Sequence, residues 1–307
     1  MAPFDVVHSD VWGPSRVPST LGYKYYVTFT DDFSRCTWVF LMKDYSELFN
    51  IFKIFCSEIM TQFGKTIRIM RSDNAKEYFS DIFNSFMHSK GIIHQSSCPH
   101  TPQQNGVAER NHRHIADTAR ILLVNANVPL KFWSDDVLTA WYLINQMSSS
   151  VLNNQVPHSL LYPTKPLYVV SPHVFGCTCF VHDLSLGRDK MFPRAIKCVF
   201  LGYSRVQKRY HCYSPTTHLF YTSVDVTFFE DISCFANSDV PLVELDQVLL
   251  ILVLSLLSPL ILHLLTHQQW YMHPLQPSLL HLLTGMVSLM REGLNCNAPI
   301  YYLIIFG

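Results

Sequence analysis

The sequence predicts an α/β domain with a mixed sheet covered by helices, followed by a small all-β module. Two patterns along the 307 residues support this prediction. Residues 1–147 alternate short β-rich runs with amphipathic helical stretches, whereas residues 174–232 carry only β-rich runs and turns. Residues 233–307 follow neither pattern, because 20 of them are Leu, only five are charged and no periodicity persists.

Three strands are predicted first: Asp5–Trp12, Tyr23–Thr30 and Cys36–Met42. All three are rich in the β-branched and aromatic residues that strands favour. The turn residues Asp31–Ser34 join the second strand to the third. We therefore expect antiparallel neighbours in this part of the sheet.

Helices and strands alternate in the next segment. Apolar residues at helical spacing predict a helix capped by Ser46 and ended by Gly64. A strand at Ile67–Ser72, a helix at Ser80–Lys90 and a strand at Ile92–Gln95 follow. These elements complete a mixed sheet flanked by helices.

The first domain ends with a loop and two helices. Cys98–Gly106 is rich in Pro, Gln and Gly and is predicted to be a loop. Helices are predicted at Val107–Asn125 and from Pro129 to Met147. We assign residues 1–147 to the first domain and the Ser-, Asn- and Pro-rich residues 148–173 to a linker.

The second domain, residues 174–232, is predicted to be a small barrel. Its β-rich runs are Val174–His182, Ala195–Tyr203, Tyr210–Ser214, His218–Thr222 and Val224–Phe229. Residues 233–307 form a tail that we expect to be irregular or disordered, as a frameshift would produce. A membrane span at Val248–Leu265 is the alternative, but Pro259 and the residues that follow argue against it.

The net charge is zero over the whole chain, but residues 1–232 carry +3 and the tail −3. A mildly basic first part permits a polyanionic partner. The chain opens without a basic, apolar leader, and its nine cysteines are scattered, which is typical of reduced thiols. Either buried thiols or a zinc site could explain four of them, and their strand context favours buried thiols (Cys177, Cys179, Cys198 and Cys212).

Three acids stand where a mixed sheet could bring them together. Asp10 lies near the end of the first strand, Asp73 directly follows the fourth, and Glu109 lies in the first turn of a helix. Carboxylates are the ligands that Mg²⁺ prefers, and two such cations can stabilise both oxygens of a phosphoryl transfer. The first turn of a helix also favours phosphate.

Several polar and basic residues are candidates for DNA contacts. His112 and His114 are two positions apart, so on a helix they point to different faces and are poor joint metal ligands. We interpret them instead as part of a solvated basic face. Between Arg188 and Arg209 seven basic residues face a single acid, which favours a surface that contacts phosphates. The candidate DNA-binding residues are Asn74, Gln104, Asn105, Arg113, Arg120, Arg188, Lys190, Lys197, Lys208 and Arg209.

Six sequence motifs resemble the integrase core, and the SH3-like module behind it, of copia-type LTR retrotransposon Pol polyproteins. The resemblance covers about residues 3–232. The motifs occur in the family's order: His8–Pro14, Thr30–Arg35, Arg71–Tyr78, Cys98–Arg110, Val174–Cys177 and Cys198–Tyr203.

This resemblance implies a ribonuclease H-like fold followed by an SH3-like barrel. It implies a catalytic, metal-binding triad of Asp10, Asp73 and Glu109, whose last two members are separated by 35 residues. It also implies two Mg²⁺ or Mn²⁺ ions, 3′ processing and joining of element DNA to target DNA, homo-oligomers and a nuclear location. No zinc is expected, since the chain begins after the family's zinc module. Ala75 and Lys76 replace two glycines that many relatives carry.

Three functions therefore remain open. The chain is an active polynucleotidyl transferase, a catalytically silent DNA-binding remnant of a decayed element, or a nuclease of the same fold. The intact triad favours the first, whereas the foreign tail favours the second.

Overall fold

The computed structural model describes residues 2–97, 105–182, 195–204 and 207–235. Contacts divide the chain into residues 1–238 and residues 239–307. The second unit lies outside the described residues, and so does the prediction of an irregular tail or membrane span there. Among the residues described, no helix is long and apolar enough to cross a bilayer.

A mixed five-stranded sheet organises the first part of the chain, as predicted. Its strands are β1 Val6–Trp12, β2 Tyr25–Asp31, β3 Thr37–Met42, β4 Ile69–Ser72 and β5 Ile93–Ser96. They lie in the order β3-β2-β1-β4-β5. Strand β2 pairs antiparallel with both β1 and β3, whereas β4 pairs parallel with both β1 and β5. This strand order and the helices on both faces give the ribonuclease H-like fold.

Helices cover both faces of this sheet because side chains alternate along each strand. Val27 and Phe29 pack with α1 Leu48–Phe63 and α2 Asp81–Lys90 on one face. Tyr26 and Val39 pack on the other face with two further helices, α3 Gly106–Asn125 and α4 Trp133–Gln146.

The start of α1 differs from the sequence prediction. A short 3-10 turn precedes the helix, and Asp44, not Ser46, caps it. The Ser46 N–H donates to Asp44 Oδ1 at 2.9 Å. Gly64 ends the helix as predicted, with φ 61°. Asp and Ser are equally good residues for capping a helix start, so the sequence alone does not decide between Asp44 and Ser46.

The predicted linker, residues 148–173, includes a 3-10 turn at Ser150–Leu152 and one short α-helix, α5 Pro157–Leu161. The β module behind it has the strands β6 Cys177–His182, β7 Ala195–Tyr203, β8 Tyr210–Ser214, β9 Leu219–Ser223 and β10 Val226–Ser233. They form an antiparallel sheet in the order β10-β6-β7-β8-β9. The all-β, SH3-like module is thus present, while the domain boundaries stay predictions.

The module packs directly against the helices of the first domain. Phe132 and Val128 share one apolar cluster with Val199, Leu201 and other residues of the module. Two hydrogen bonds cross the same contact: Thr139 Oγ1 donates to the Leu201 carbonyl at 3.1 Å, and Ser233 Oγ donates to the Ala126 carbonyl at 2.8 Å.

Gly202 makes this contact possible, so we expect Gly202→Ala to destabilise the protein. Its φ is +127°, and a Cβ would lie 2.1 Å from Thr139 Oγ1. Backbone strain alone costs about 1–3 kcal/mol there, so thermal unfolding should shift down by roughly 5 °C or more. Gly106→Ala is the control, because that Cβ meets nothing within 4 Å. An unchanged melting temperature in Gly202→Ala would contradict the prediction.

Candidate active site

Asp10 and Asp73 lie side by side at one end of the sheet. Strands β1 and β4 are parallel neighbours with His8 opposite Arg71. Continuing that register by two residues brings Asp10 level with Asp73. Both side chains are partly exposed. Each is held by a backbone N–H: Val11 donates to Asp10 Oδ1 at 2.9 Å, and Ala75 donates to Asp73 Oδ1 at 3.2 Å.

Glu109 lies in the first turn of α3, and its charge acts on Asp10. The start of the helix is tied to β1, because Asn105 Nδ2 donates to the Ser9 carbonyl at 3.4 Å. Helix α3 also packs along β1 and β2. The three acids therefore come from two adjacent strand ends and a helix start, as the sequence pattern predicts.

The acids repel one another, which shows in the pKa of Asp10. Burial raises this pKa to about 7, and the charges of Asp73 and Glu109 add to the effect. Burial also raises the pKa of Asp73; the Ala75 N–H opposes this, and the charge of Glu77 adds to it. The strongest charges acting on Asp10 and Asp73 are negative, so a bound cation would offset this repulsion.

This donor set fits divalent cations in its chemistry. All three side chains offer carboxylate oxygens, the ligands of Mg²⁺ and Mn²⁺. As they stand, no three His, Cys, Asp or Glu side chains of the described residues are close enough to hold a metal ion. Binding would therefore draw the carboxylates closer than the structure has them.

His112 belongs to this site, which the sequence interpretation missed. The residue is only 7 % exposed, so it is no part of a solvated face. Its Nδ1 lies 3.4 Å from Asp10 Oδ2, and its ring stacks on Tyr26. Burial lowers its pKa to about 4, so the ring is neutral at neutral pH. The signal was its place three residues after Glu109, which puts both on one helix face. His114 is exposed, as expected.

The candidate DNA-binding residues near the acids differ in exposure. Asn74 is exposed beside Asp73, and Arg113 is exposed one turn after Glu109. Arg120 is exposed two turns further along α3 and pairs with Asp117 at 2.9 Å. Asn105 is only 2 % exposed, and its Oδ1 has no hydrogen-bond partner among the described residues.

A cavity of about 480 Å³ lies beside Asp73, at the ends of β4 and β5. Asn105 lines it together with Arg71, Gln95 and three serines. Gln104, another candidate DNA contact, lies outside the described residues. Of the two candidate amides in this loop, Asn105 is therefore the one that the structure describes, and it lines this cavity.

The described basic candidates of the β module lie on or beside β7 and β8. Lys197 on β7 is exposed, and so are Lys208 and Arg209 just before β8. Lys208 and Arg209 line a groove with Tyr142 and Tyr203. Arg188 and Lys190 lie outside the described residues.

The cysteines of the module are buried thiols. Their side chains form its interior, with Cys179 Sγ 3.6 Å from Cys212 Sγ. Burial raises the pKa of Cys177 and of Cys198 to about 12. These thiols therefore carry no charge at neutral pH, as expected of small buried apolar side chains.

Comparison with known families finds two matches. Residues 1–102 match the integrase core domain, and residues 177–241 match the retroviral polymerase SH3-like domain. The first match includes Asp10 and Asp73 and ends before Glu109. The two matches follow the order of the two folded parts of the chain.

Curated relatives are Pol polyproteins of transposons. The chain is 38% identical over 226 residues to the retrovirus-related Pol polyprotein from transposon TNT 1-94 of Nicotiana tabacum, and 37% identical over 236 residues to that from transposon RE2 of Arabidopsis thaliana. These alignments include 74% and 77% of the chain but only 17% and 16% of the relatives. The chain thus spans about one sixth of their length.

One solved structure to which the chain is similar is the HTLV-2 integrase catalytic core domain in complex with magnesium. It aligns with 52% of the chain and 97% of its own length, at 19% identity and a TM-score of 0.39. The catalytic core domain of BIV integrase aligns with 52% and 95%, at 14% identity and a TM-score of 0.39.

Proposed function

The chain carries the integrase core and the SH3-like module of a copia-type LTR retrotransposon Pol polyprotein, and from this premise we propose that it processes and joins DNA 3′ ends itself. Membership of this family supports a general function, DNA integration by a polynucleotidyl transferase. The proposal adds metal use, 3′ processing and DNA binding by this chain's own residues.

One observation carries the proposal: Asp10, Asp73 and Glu109 approach the same end of the sheet closely enough for the charges of Asp73 and Glu109 to act on Asp10. The raised pKa of Asp10 reflects burial first and the charges of Asp73 and Glu109 next. A site that only stabilises the fold gains nothing from unpaired acids. Perturbed acids gathered in this way are typical of a catalytic site.

Each acid has a proposed role. Asp10 and Asp73 would hold the cations, and Glu109 would complete the second site. Two divalent cations bound there would supply Lewis acidity, which would lower the pKa of the attacking oxygen and stabilise the leaving oxygen. Val11 and Ala75 fix the Asp10 and Asp73 carboxylates through their N–H groups.

The reaction has two phosphoryl-transfer steps. A water oxygen first attacks a phosphorus near the 3′ end of element DNA, and the phosphorus–O3′ bond breaks. The freed 3′-hydroxyl then attacks a phosphorus of the target, where a second phosphorus–O3′ bond breaks. The start of α3 lies at this site, and its unpaired N–H groups favour the phosphate.

Basic residues outside the triad bind the DNA backbone in this proposal. Arg113 and Arg120 follow Glu109 along α3, and Lys197, Lys208 and Arg209 extend the positive surface over the module. Such contacts position the duplex with little sequence preference. DNA is thus the proposed partner, in a homo-oligomer located in the nucleus.

A strand-transfer assay tests the function. Labelled donor DNA and an unlabelled target are incubated with the full chain and Mn²⁺, and joined products are resolved by size. We expect joining by the wild type and a loss of at least about 100-fold in Asp73→Asn, because an amide cannot replace the anionic ligand. Asp81→Asn removes an exposed acid at the start of α2 and serves as control.

Two other results would contradict the proposal. DNA binding by the wild type without cutting or joining would identify a catalytically silent DNA-binding protein. Cutting without joining would identify a nuclease.

A further inference from the structure

His112 is a buried ring beside one acid of the proposed triad. It lies three residues after Glu109, so both side chains project from the same face of α3. The His112 and Tyr26 rings stack with their centroids 4.7 Å apart and their planes at 20°. Nδ1 lies 3.4 Å from Asp10 Oδ2. The ring is thus fixed in place next to the carboxylate.

Neither ring nitrogen of His112 has a well-formed hydrogen bond among the described residues. An unpaired polar group in a buried position costs about 1–3 kcal/mol. Packing does not require a polar side chain at this position, since the neighbouring buried residues of the helix, Ile115 and Ala119, are apolar. A buried imidazole is therefore better explained by the acid that it faces.

We propose that His112 is a positioning residue, whose Nδ1–H donates to Asp10 Oδ2 and orients this carboxylate for the cation. The inference rests on the proposed function, because it concerns the same site. The 3.4 Å separation becomes a well-formed hydrogen bond if the carboxylate turns toward the N–H and approaches by about half an ångström. Drawing the three carboxylates together around a cation provides such a movement.

Two donors would then hold Asp10 from two sides. The Val11 N–H already donates to Oδ1 at 2.9 Å. With His112 on Oδ2, the carboxylate cannot rotate, and each oxygen keeps a free lone pair for a cation. Groups that orient a ligand in this way affect metal affinity by about 10–100-fold.

Metal binding without turnover tests this role. Mn²⁺ is titrated into the full chain without DNA, and free Mn²⁺ is measured by electron paramagnetic resonance. His112→Phe keeps a ring against Tyr26 but has no N–H, so we expect affinity to fall about 10-fold or more. His112→Asn restores a donor and should recover part of the loss. His114→Phe is the matched control on the exposed side and should bind as the wild type does.

The outcomes distinguish a failure of the His112 role from a failure of the proposed metal-dependent function. If His112→Phe binds Mn²⁺ like the wild type while Asp73→Asn does not, the positioning role is wrong and the metal site stands. If the wild type itself binds no Mn²⁺, both fail. A nitrogen coupling in the electron spin echo of bound Mn²⁺ would make His112 a ligand and overturn the positioning role. Should His112→Phe not fold, His112→Leu against His112→Asn gives the same comparison.

Discussion

Glu109→Gln should abolish metal-dependent cleavage and joining while the fold stays intact. The amide keeps the size of the side chain but removes the charge that, in the proposed function, completes the second metal site. We expect at least about a 100-fold loss of cleavage rate, comparable to the loss of one strong electrostatic contact in a transition state. Cleavage of labelled DNA over time in Mn²⁺ measures the rate, and thermal unfolding monitors the fold.

The fold should tolerate this change because Glu109 repels Asp10. The charge of Glu109 contributes to the raised pKa of Asp10, so its removal relieves the native state. Asp117→Asn is the matched control, since it also turns an acid into an amide on α3, in this case within an exposed ion pair with Arg120. Turnover like that of the wild type in Glu109→Gln would refute the triad.

Asp136→Ala should stabilise the protein markedly at neutral pH. Asp136 on α4 is 0 % exposed, and neither carboxylate oxygen has a hydrogen-bond partner among the described residues. Burial, with the charge of Asp135 beside it, raises the Asp136 pKa to about 9. Alanine removes the buried carboxyl and favours the helix.

The sign and pH window follow from that pKa. In the unfolded chain Asp136 ionises near its ordinary value of 3.8, and in the native state near 9. Native stability therefore falls as pH rises from about 4 to about 9, because the unfolded state gains the ionised form first. Each pKa unit is worth about 1.4 kcal/mol, so a cost of a few kcal/mol applies at pH 7.

Thermal unfolding across pH measures this effect. We expect Asp136→Ala to raise the melting temperature by roughly 5 °C or more at pH 7.5, with a gain that shrinks toward pH 4. Asp117→Ala, at an exposed site, should change it little. A gain that is equal at both pH values would show that the carboxyl's ionisation is not the cause.

Local sequence patterns determine most of the first sheet. Alternating apolar residues place Val27 and Tyr26 on opposite faces, and the turn residues from Asp31 give the β2–β3 hairpin. The parallel pairing of β1 with β4 was beyond reach, because no local signal reports a register between strands 60 residues apart. Asp31 shows the same limit: its carboxylate accepts from the Phe4 N–H at 2.7 Å, a contact between distant segments.

The candidate site, too, was predictable from the sequence only in part. The motifs around Asp10, Asp73 and Glu109 single out the acids, and their shared catalytic role stays a prediction. The structure puts Asp10 on β1, Asp73 directly after β4 and Glu109 in the first turn of α3. His112 was misinterpreted because helical spacing alone does not tell which face is buried. The buried Asp136 was missed because its neighbour Asp135 makes the pair look like an exposed helix start.

The apolar cluster shared by the helices and the β module also affects how the chain folds during synthesis. Phe132 and Val128 leave the ribosome well before Val199 and Leu201, their partners across the contact. Until those strands emerge, the first domain exposes an unfinished hydrophobic surface. A fragment ended at residue 147 would keep that surface permanently, and we expect it to aggregate where the chain through residue 235 does not.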